Sequence, residues 1–181
     1  MPLLEATAGR AFLLFTSYAN MQAVHGALAE MDGWRLLLQG EGSKVALVES
    51  FRSTPRAVLL GTTSFWHGVD VPGQALSLVV VDKLPFDVPS DPLIAARIKR
   101  IQDEGGSPFR EYQIPLAVLD LKQGLGRLIR SRADRGILAV LDPRLTTKRY
   151  GRIFVNSLPP YRVVRDFEAA ASFFNEGLPD R

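Results

Sequence analysis

Short, strongly apolar segments alternate with helix-like segments along this chain. The segment from Ala11 to Phe15 contains no polar residue, and similar segments lie at 57–60, 76–81 and 137–141, with a weaker one at 34–38. Strands that are apolar on both faces and separated by helices are typical of a parallel sheet covered by helices on both sides. The sequence therefore predicts an α/β domain with a mostly parallel sheet, in which ligands bind at the carboxyl ends of the strands.

The predicted helices begin at polar residues that can cap them. Ser17 precedes a helix over 18–31, Ser43 precedes a helix that ends before Pro55, and Asp91 precedes a helix that begins at Pro92. The apolar positions expected on the buried faces of the first two are Met21, Val24, Leu28 and Met31, then Val45, Leu47, Val48 and Phe51. Residues 108–131 predict one long or kinked helical region, and 166–174 a terminal helix.

Composition narrows the possible functions. A chain of 181 residues with 46% hydrophobic residues has enough apolar material for one domain, 1–181, with its own core. The absence of Cys excludes disulfides, thiolate zinc sites, iron–sulfur ligation and a cysteine nucleophile within the chain, and two His make a His-rich metal site hard to assemble. Without a membrane-length apolar run, we expect a cytoplasmic protein that binds no metal of its own.

Positive charge is concentrated in the second half of the chain. Residues 1–90 contain 6 Lys/Arg and 8 Asp/Glu, a net charge of −2, whereas residues 91–181 contain 16 and 11, a net charge of +5. A basic zone of this kind can bind a polyanion such as nucleic acid or nucleotide phosphate. Solvated helix faces give the same count, so both interpretations remain open.

One segment places a glutamine and two arginines on the same side of a predicted helix. At about 100° per residue, Arg127 lies about 40° and Arg130 about 20° from Gln123 around the helix axis. Two guanidinium groups this close repel each other unless an anion lies between them, and their planar shape suits phosphate oxygens. Pairing with Asp120 or Asp134 on the surface is the alternative, and spacing alone does not decide between the two.

Two loops at strand ends carry hydroxyl groups. The segment from Gly61 to Gly73 follows a buried strand and contains Thr62, Thr63 and Ser64, which suit a nucleic-acid backbone, and Asp70, which can accept a hydrogen bond from a ribose or an arginine. Trp66 in this segment either stacks on a base or fills the core. Thr16, Ser17 and Tyr18 follow the first strand, where they either contact phosphates or cap the next helix.

No phosphate-binding loop of the GxxxxGK[ST] type occurs. The segment 40–44 is too compact for one, and Asp82, although it follows an apolar strand, is interpreted as structural. The sequence therefore offers groups that sense a γ-phosphate but no loop that holds the triphosphate.

These motifs together resemble a known family. Phe-Thr-Ser-Tyr18, Ser64-Phe-Trp-His-Gly-Val-Asp-Val-Pro-Gly73 and Gln123-Gly-Leu-Gly-Arg-Leu-Ile-Arg130 are similar to helicase motifs IV, V and VI of superfamily 2. With Asp82-Lys-Leu-Pro-Phe86 and Asp142-Pro-Arg-Leu145, the chain resembles the DinG/YoaA branch of XPD-like DNA helicases from about residue 6 to residue 166.

The resemblance implies a second RecA-like motor domain with three layers, from a helicase that couples ATP hydrolysis to 5′-to-3′ movement on single-stranded DNA. It also implies a first motor domain, absent from this chain, that holds most of the contacts to ATP and Mg and the iron–sulfur cluster where one is present. The expected partners are that domain, single-stranded DNA, and DNA repair or replication proteins. We expect the chain to be a truncated gene product or an excised fragment, inactive as an ATPase alone.

The resemblance also implies residue roles. Arg130 is expected to act as the arginine finger, with Arg127 and Gln123 beside it. Gly68 and Asp70 are expected on the nucleotide side of motif V, and His67 departs from relatives that carry Glu there. The residues expected to contact DNA are Ser17, Tyr18, Thr62, Thr63 and Ser64.

The alternative function is that of a binding module rather than an enzyme. A helicase-derived fold without enzymatic activity would only bind nucleic acid or a protein partner. The arginine pair discriminates between the two, because a pure binding module has no reason to present it beside Gln123.

Overall fold

A computed structural model describes residues 1–62, 65, 76–87, 91–126 and 135–176 of the chain. The described strands are β1 (Ala11–Phe15), β2 (Arg35–Leu38), β3 (Ala57–Thr62), β4 (Leu78–Val81) and β5 (Ile137–Val140). The described helices are α1 (Pro2–Ala6), α2 (Tyr18–Ala29), α3 (Lys44–Ser53), α4 (Pro92–Asp103), α5 (Ile114–Leu125), α6 (Arg144–Thr147), α7 (Gly151–Ser157) and α8 (Phe167–Asn175), with a π-helical turn Phe109–Gln113 before α5.

All described strands belong to one parallel sheet in the order β2-β3-β1-β4-β5. Strand β1 lies at the centre, where Leu13 pairs with Leu60 of β3 and with Val80 of β4. Every residue of β1 and of β3 is buried, as expected for strands covered on both faces. The predicted α/β class with a mostly parallel sheet is confirmed.

Helices cover both faces of the sheet, which gives the domain three layers. On one face, Phe12 and Leu14 of β1 belong to a core that includes residues of α3, α5 and α7. On the other face, Leu13 and Phe15 belong to a core that includes residues of α1, α2 and α8. Alternate residues of the central strand therefore anchor two separate hydrophobic layers.

Side-chain caps fix the starts of the main helices where the sequence predicted them. Ser17 accepts a hydrogen bond from the N–H of Asn20 and Ser43 from that of Ala46. Asp91 accepts from the N–H groups of Leu93 and Ile94. These caps satisfy backbone donors that have no partner within the first turn of a helix.

Two residues predicted to lie on buried helix faces are exposed. Met31 is 42% exposed because α2 ends at Ala29, so the helical spacing does not extend to it. Val45 is 67% exposed in the first turn of α3, while Leu47, Val48 and Phe51 form the buried stripe. Helix α4 has no buried residue, and Leu93 in its first turn is 82% exposed.

Gly9 allows a close approach between the start of β1 and the start of β3. Its φ is +73°, and a Cβ built there would lie 2.6 Å from the carbonyl carbon of Arg56. Gly40, which follows β2, also has a positive φ, of +104°, but a Cβ there would meet no described atom within 4 Å. An alanine at Gly40 would therefore introduce backbone strain alone, whereas an alanine at Gly9 would introduce backbone strain and a steric overlap.

We predict that Gly9→Ala destabilises the chain more than Gly40→Ala does. The Gly40 variant carries only the strain of a side chain at positive φ, about 1 kcal/mol, whereas the Gly9 variant adds an overlap with backbone atoms and reaches about 3 kcal/mol. Urea unfolding of both variants measures the two free energies. Equal losses would contradict the close packing at Gly9.

Candidate functional site

The carboxyl ends of the strands bring polar residues to one edge of the sheet. Because the described strands are parallel, the residues at these ends lie side by side in sheet order. In that order they are Gln39 after β2, Thr62 at the end of β3, Thr16 after β1, Asp82 after β4 and Asp142 beyond β5. We call this row the polar edge.

Gln39 connects three elements at the polar edge. Its Oε1 accepts a hydrogen bond from the N–H of Thr62 at 2.6 Å and another from the Thr62 hydroxyl at 3.1 Å. Its Nε2 donates to the hydroxyl of Tyr18 at 2.7 Å. One amide side chain therefore links the end of β2, the end of β3 and the first residue of α2.

Asp82 makes the corresponding link between β4 and β1. Its Oδ1 accepts from the N–H of Thr16 at 3.0 Å, and its Oδ2 accepts from the side-chain amide of Asn20 at 3.3 Å. These contacts join the end of β4 to the turn between β1 and α2. These contacts agree with the interpretation of Asp82 as a structural residue.

Asp142 is a buried carboxylate that ties the segment after β4 to the segment after β5. Its Oδ2 accepts from the N–H of Leu84 at 2.9 Å, and its two oxygens accept from the Arg144 side chain at 2.6 to 2.9 Å. Burial raises the pKa of Asp142, but the hydrogen bonds from Arg144 and Leu84 outweigh it, so the pKa lies below its ordinary value. The pKa of Arg144 is raised, chiefly by its hydrogen bonds to Asp142.

An aromatic cluster surrounds the exposed side of this ion pair. The guanidinium carbon of Arg144 lies 5.3 Å from the ring centre of Phe86. Phe86 in turn contacts Phe109, Tyr150 and Phe154, with ring centres 5.6 to 5.8 Å apart. The cluster fixes the segment after β4 against the π-helical turn and α7.

Four of the residues singled out by the sequence lie within the described part of the chain. Gln123 is exposed near the end of α5, while Leu121 and Leu125 are buried, as predicted for a helix with an outward polar face. Ser17 is exposed at the cap of α2, and Tyr18 is 56% exposed beside it. Thr62 is buried, and its hydroxyl bonds to Gln39.

The remaining predicted site residues lie outside the described residues. Their roles stay predictions that rest on the sequence. They are Thr63, Ser64, Gly68, Asp70, Arg127 and Arg130.

The structure adds residues to the polar edge that the sequence did not single out. These residues are Gln39 and Asn20, and Asp142 gains a role beyond its place in a motif. A usable signal exists for Gln39 and Asp142, because each lies one or two residues after an apolar strand. Their partners are distant in sequence, so the pairing itself is visible only in the fold.

The described part of the chain contains neither a metal-binding cluster nor a membrane-spanning helix. Within residues 1–62, 65, 76–87, 91–126 and 135–176, no three His, Cys, Asp or Glu side chains cluster in a way that suits a metal ion. Across the same ranges, no helix has the length and apolar character needed to cross a bilayer.

Comparisons with known proteins agree with this geometry. Residues 1–161 match the family model described as helicase C-terminal domain. The ATP-dependent DNA helicase YoaA of Haemophilus influenzae is 47% identical over 96% of this chain, and the ATP-dependent helicase DinG of Mycobacterium tuberculosis is 44% identical over 88%. The chain spans 27% and 24% of those two relatives, about a quarter of their length.

A solved structure supports the same fold. An XPD helicase superimposes with a TM-score of 0.63 at 19% identity, over 86% of this chain and 29% of the other. At that identity the likeness concerns the fold alone, and it agrees with the expectation of a three-layer RecA-like domain.

The Asp142 pair leads to a prediction for stability against pH. Because the folded-state pKa of Asp142 is below its ordinary value of 3.8, the ionised carboxylate stabilises the fold fully above that value. This contribution is lost as the pH falls through the folded-state pKa. We expect Asp142→Asn to lower the free energy of unfolding by about 1–3 kcal/mol at pH 7, with a smaller difference from wild type below about pH 4.

Denaturant unfolding between pH 7 and pH 3 measures this difference. Asp103→Asn is the control, because Asp103 pairs with Lys99 on the exposed face of α4 and its loss costs less than about 1 kcal/mol. A difference between Asp142→Asn and wild type that stays constant over the whole range would contradict the assignment.

Proposed function

The chain belongs to the helicase C-terminal domain family, and we propose that it serves as the second RecA-like motor domain of an ATP-dependent DNA helicase of the DinG/YoaA type. The observation that carries the proposal is the family match over residues 1–161, on a parallel sheet whose polar edge is where ligands bind in such folds. Because the chain spans about a quarter of its relatives, the helicase activity is proposed for a longer protein.

In this proposal ATP lies in a cleft between the two motor domains. The first motor domain, which this chain does not include, holds most of the contacts to ATP and Mg, and the iron–sulfur cluster if the protein has one. This chain contributes Gln123, Arg127 and Arg130 toward the γ-phosphate, and Gly68 and Asp70 toward the nucleotide. The exposure of Gln123, opposite the buried Leu121 and Leu125, supports that placement.

The arginines would act by stabilising charge. As the bond to the γ-phosphate breaks, negative charge develops on its oxygens, and a guanidinium placed beside them lowers the barrier. We assign this role first to Arg130 and then to Arg127. Because these arginines reach the phosphates only when the cleft is closed, hydrolysis would weaken the attraction between the domains and let the cleft open.

The polar edge would contact single-stranded DNA. Ser17 and Tyr18 are exposed at the start of α2, and Thr62 leads into the segment that contains Thr63 and Ser64. Opening and closing of the cleft would shift this grip along the strand, with 5′-to-3′ polarity by resemblance to the family. Such an enzyme would work in the cytoplasm on chromosomal DNA, alongside DNA repair or replication proteins.

The first test measures ATP hydrolysis. We expect the isolated chain to show negligible ATPase activity, because it lacks a phosphate-binding loop. A chimera in which this chain replaces the matching quarter of the Haemophilus influenzae relative should hydrolyse ATP when single-stranded DNA is added. Arg130→Ala in that chimera should lower kcat by about 10³-fold or more.

The matched control is Arg100→Ala, which removes an exposed arginine paired with Glu104 on α4 and should leave kcat unchanged. Full activity of the Arg130 variant would contradict the finger assignment. An inactive chimera that still binds DNA would favour the module without enzymatic activity.

The second test measures DNA binding by the chain alone. We expect weak binding of a labelled oligo-dT strand, with an affinity that falls steeply as salt rises, because phosphate contacts release counterions. Fluorescence anisotropy between about 20 and about 200 mM salt, a tenfold range that ends just above the physiological value, measures this slope. Binding that does not change with salt, or no binding at the lowest salt, would contradict the proposed DNA interface.

A further inference from the structure

The hydrogen bonds of Gln39 fix the position of an exposed aromatic ring. The hydroxyl of Tyr18 accepts from Nε2 of Gln39 at 2.7 Å, while the residue as a whole is 56% exposed. The polar end of the side chain is therefore bound to Gln39, while more than half of the residue is open to solvent. A tyrosine held at its hydroxyl loses the rotamer freedom that an exposed side chain otherwise has.

The orientation of the Gln39 amide follows from its partners. A backbone N–H can only donate, so the amide atom facing the N–H of Thr62 at 2.6 Å is the oxygen. The amide nitrogen is thereby directed to Tyr18. In the opposite orientation Oε1 could still accept from the Tyr18 hydroxyl, but Nε2 would face the N–H of Thr62, so only the observed orientation serves both partners.

The backbone holds Gln39 itself in place. Its N–H donates to the carbonyl of Leu60 at 2.9 Å, which continues the β2–β3 ladder by one residue. Gly40 follows with φ of +104°, so the chain turns away immediately after the side chain is set. Gln39 is therefore attached to the rigid sheet rather than to a loop.

This arrangement joins two segments to which the proposed function assigns DNA contacts. Tyr18 begins α2, and Thr62 ends β3 at the start of the segment 63–75. Resting on that proposed function, we infer that Gln39 is a positioning residue that fixes the Tyr18 ring, relative to Thr62 at the end of β3, as a stacking surface for one base of single-stranded DNA. A ring held in place stacks on a base without first losing its own freedom.

The test uses the chain with oligo-dT strands that carry one 2-aminopurine at successive positions. Stacking on an aromatic ring quenches the fluorescence of this base, which a purely structural role of Gln39 would not affect. We expect quenching at one position in the wild type and its loss in Tyr18→Ala, with affinity lowered about fivefold or more, the contribution of one stacked base.

Two variants remove the hydrogen bond between Gln39 and Tyr18 from either end and keep the aromatic ring, which is then free to move. Gln39→Ala and Tyr18→Phe should each reduce the quenching and weaken binding less than Tyr18→Ala does. The double variant should be no worse than Gln39→Ala, because both remove the same contact. Gln102→Ala is the matched control, since Gln102 is an exposed glutamine of α4 that is not one of the residues of the polar edge.

The outcomes separate this inference from the function on which it rests. If the wild type binds no strand at low salt, the DNA interface and the inference both fail. If the wild type binds but no position is quenched, or if quenching survives in Tyr18→Ala, the interface stands and the stacking role is wrong. If Tyr18→Ala loses the quenching while Gln39→Ala and Tyr18→Phe keep it in full, Gln39 is not a positioning residue.

Discussion

The parallel pairing of β1 with both of its neighbours is the constraint on which the rest of the structure depends. Leu13 pairs with Leu60 on one side and Val80 on the other, so three buried strands run in one direction through the centre of the domain. Because they are parallel, their polar ends meet at the same edge of the sheet. The contacts of Gln39 and Asp82 follow from that alignment, since each links strands that are adjacent in the sheet but distant in sequence.

Much of this architecture was predictable from local pattern. The segment Ala11–Phe15 has no polar residue, which leaves a strand buried on both faces as the economical solution, and the structure places β1 at those residues. The caps Ser17, Ser43 and Asp91 were equally clear, because the side chain and the backbone it caps are neighbours in sequence. Such local features need no knowledge of the tertiary fold.

The predictions that were wrong concern features that depend on the tertiary fold. Periodicity placed Val45 and Met31 on buried faces, but which side of a helix is covered depends on the neighbouring layer and on where the helix ends. In helix α4, too, periodicity does not reveal burial: its apolar residues are regularly spaced, but none of its residues is buried. Within the candidate site, the exposed Gln123 agrees with its predicted face, whereas the role of Gln39 required the register of β2 on β3 to become visible.

The central proposal is that this chain would complete, from one side, a nucleotide site whose other side would lie in a first motor domain. A structure of the chimera with a non-hydrolysable ATP analogue and oligo-dT tests it most directly. The account predicts the triphosphate in a cleft against the face of α5 that carries Gln123, with the DNA strand along the polar edge. A nucleotide without contact to this chain, or DNA along the opposite edge of the sheet, would contradict it.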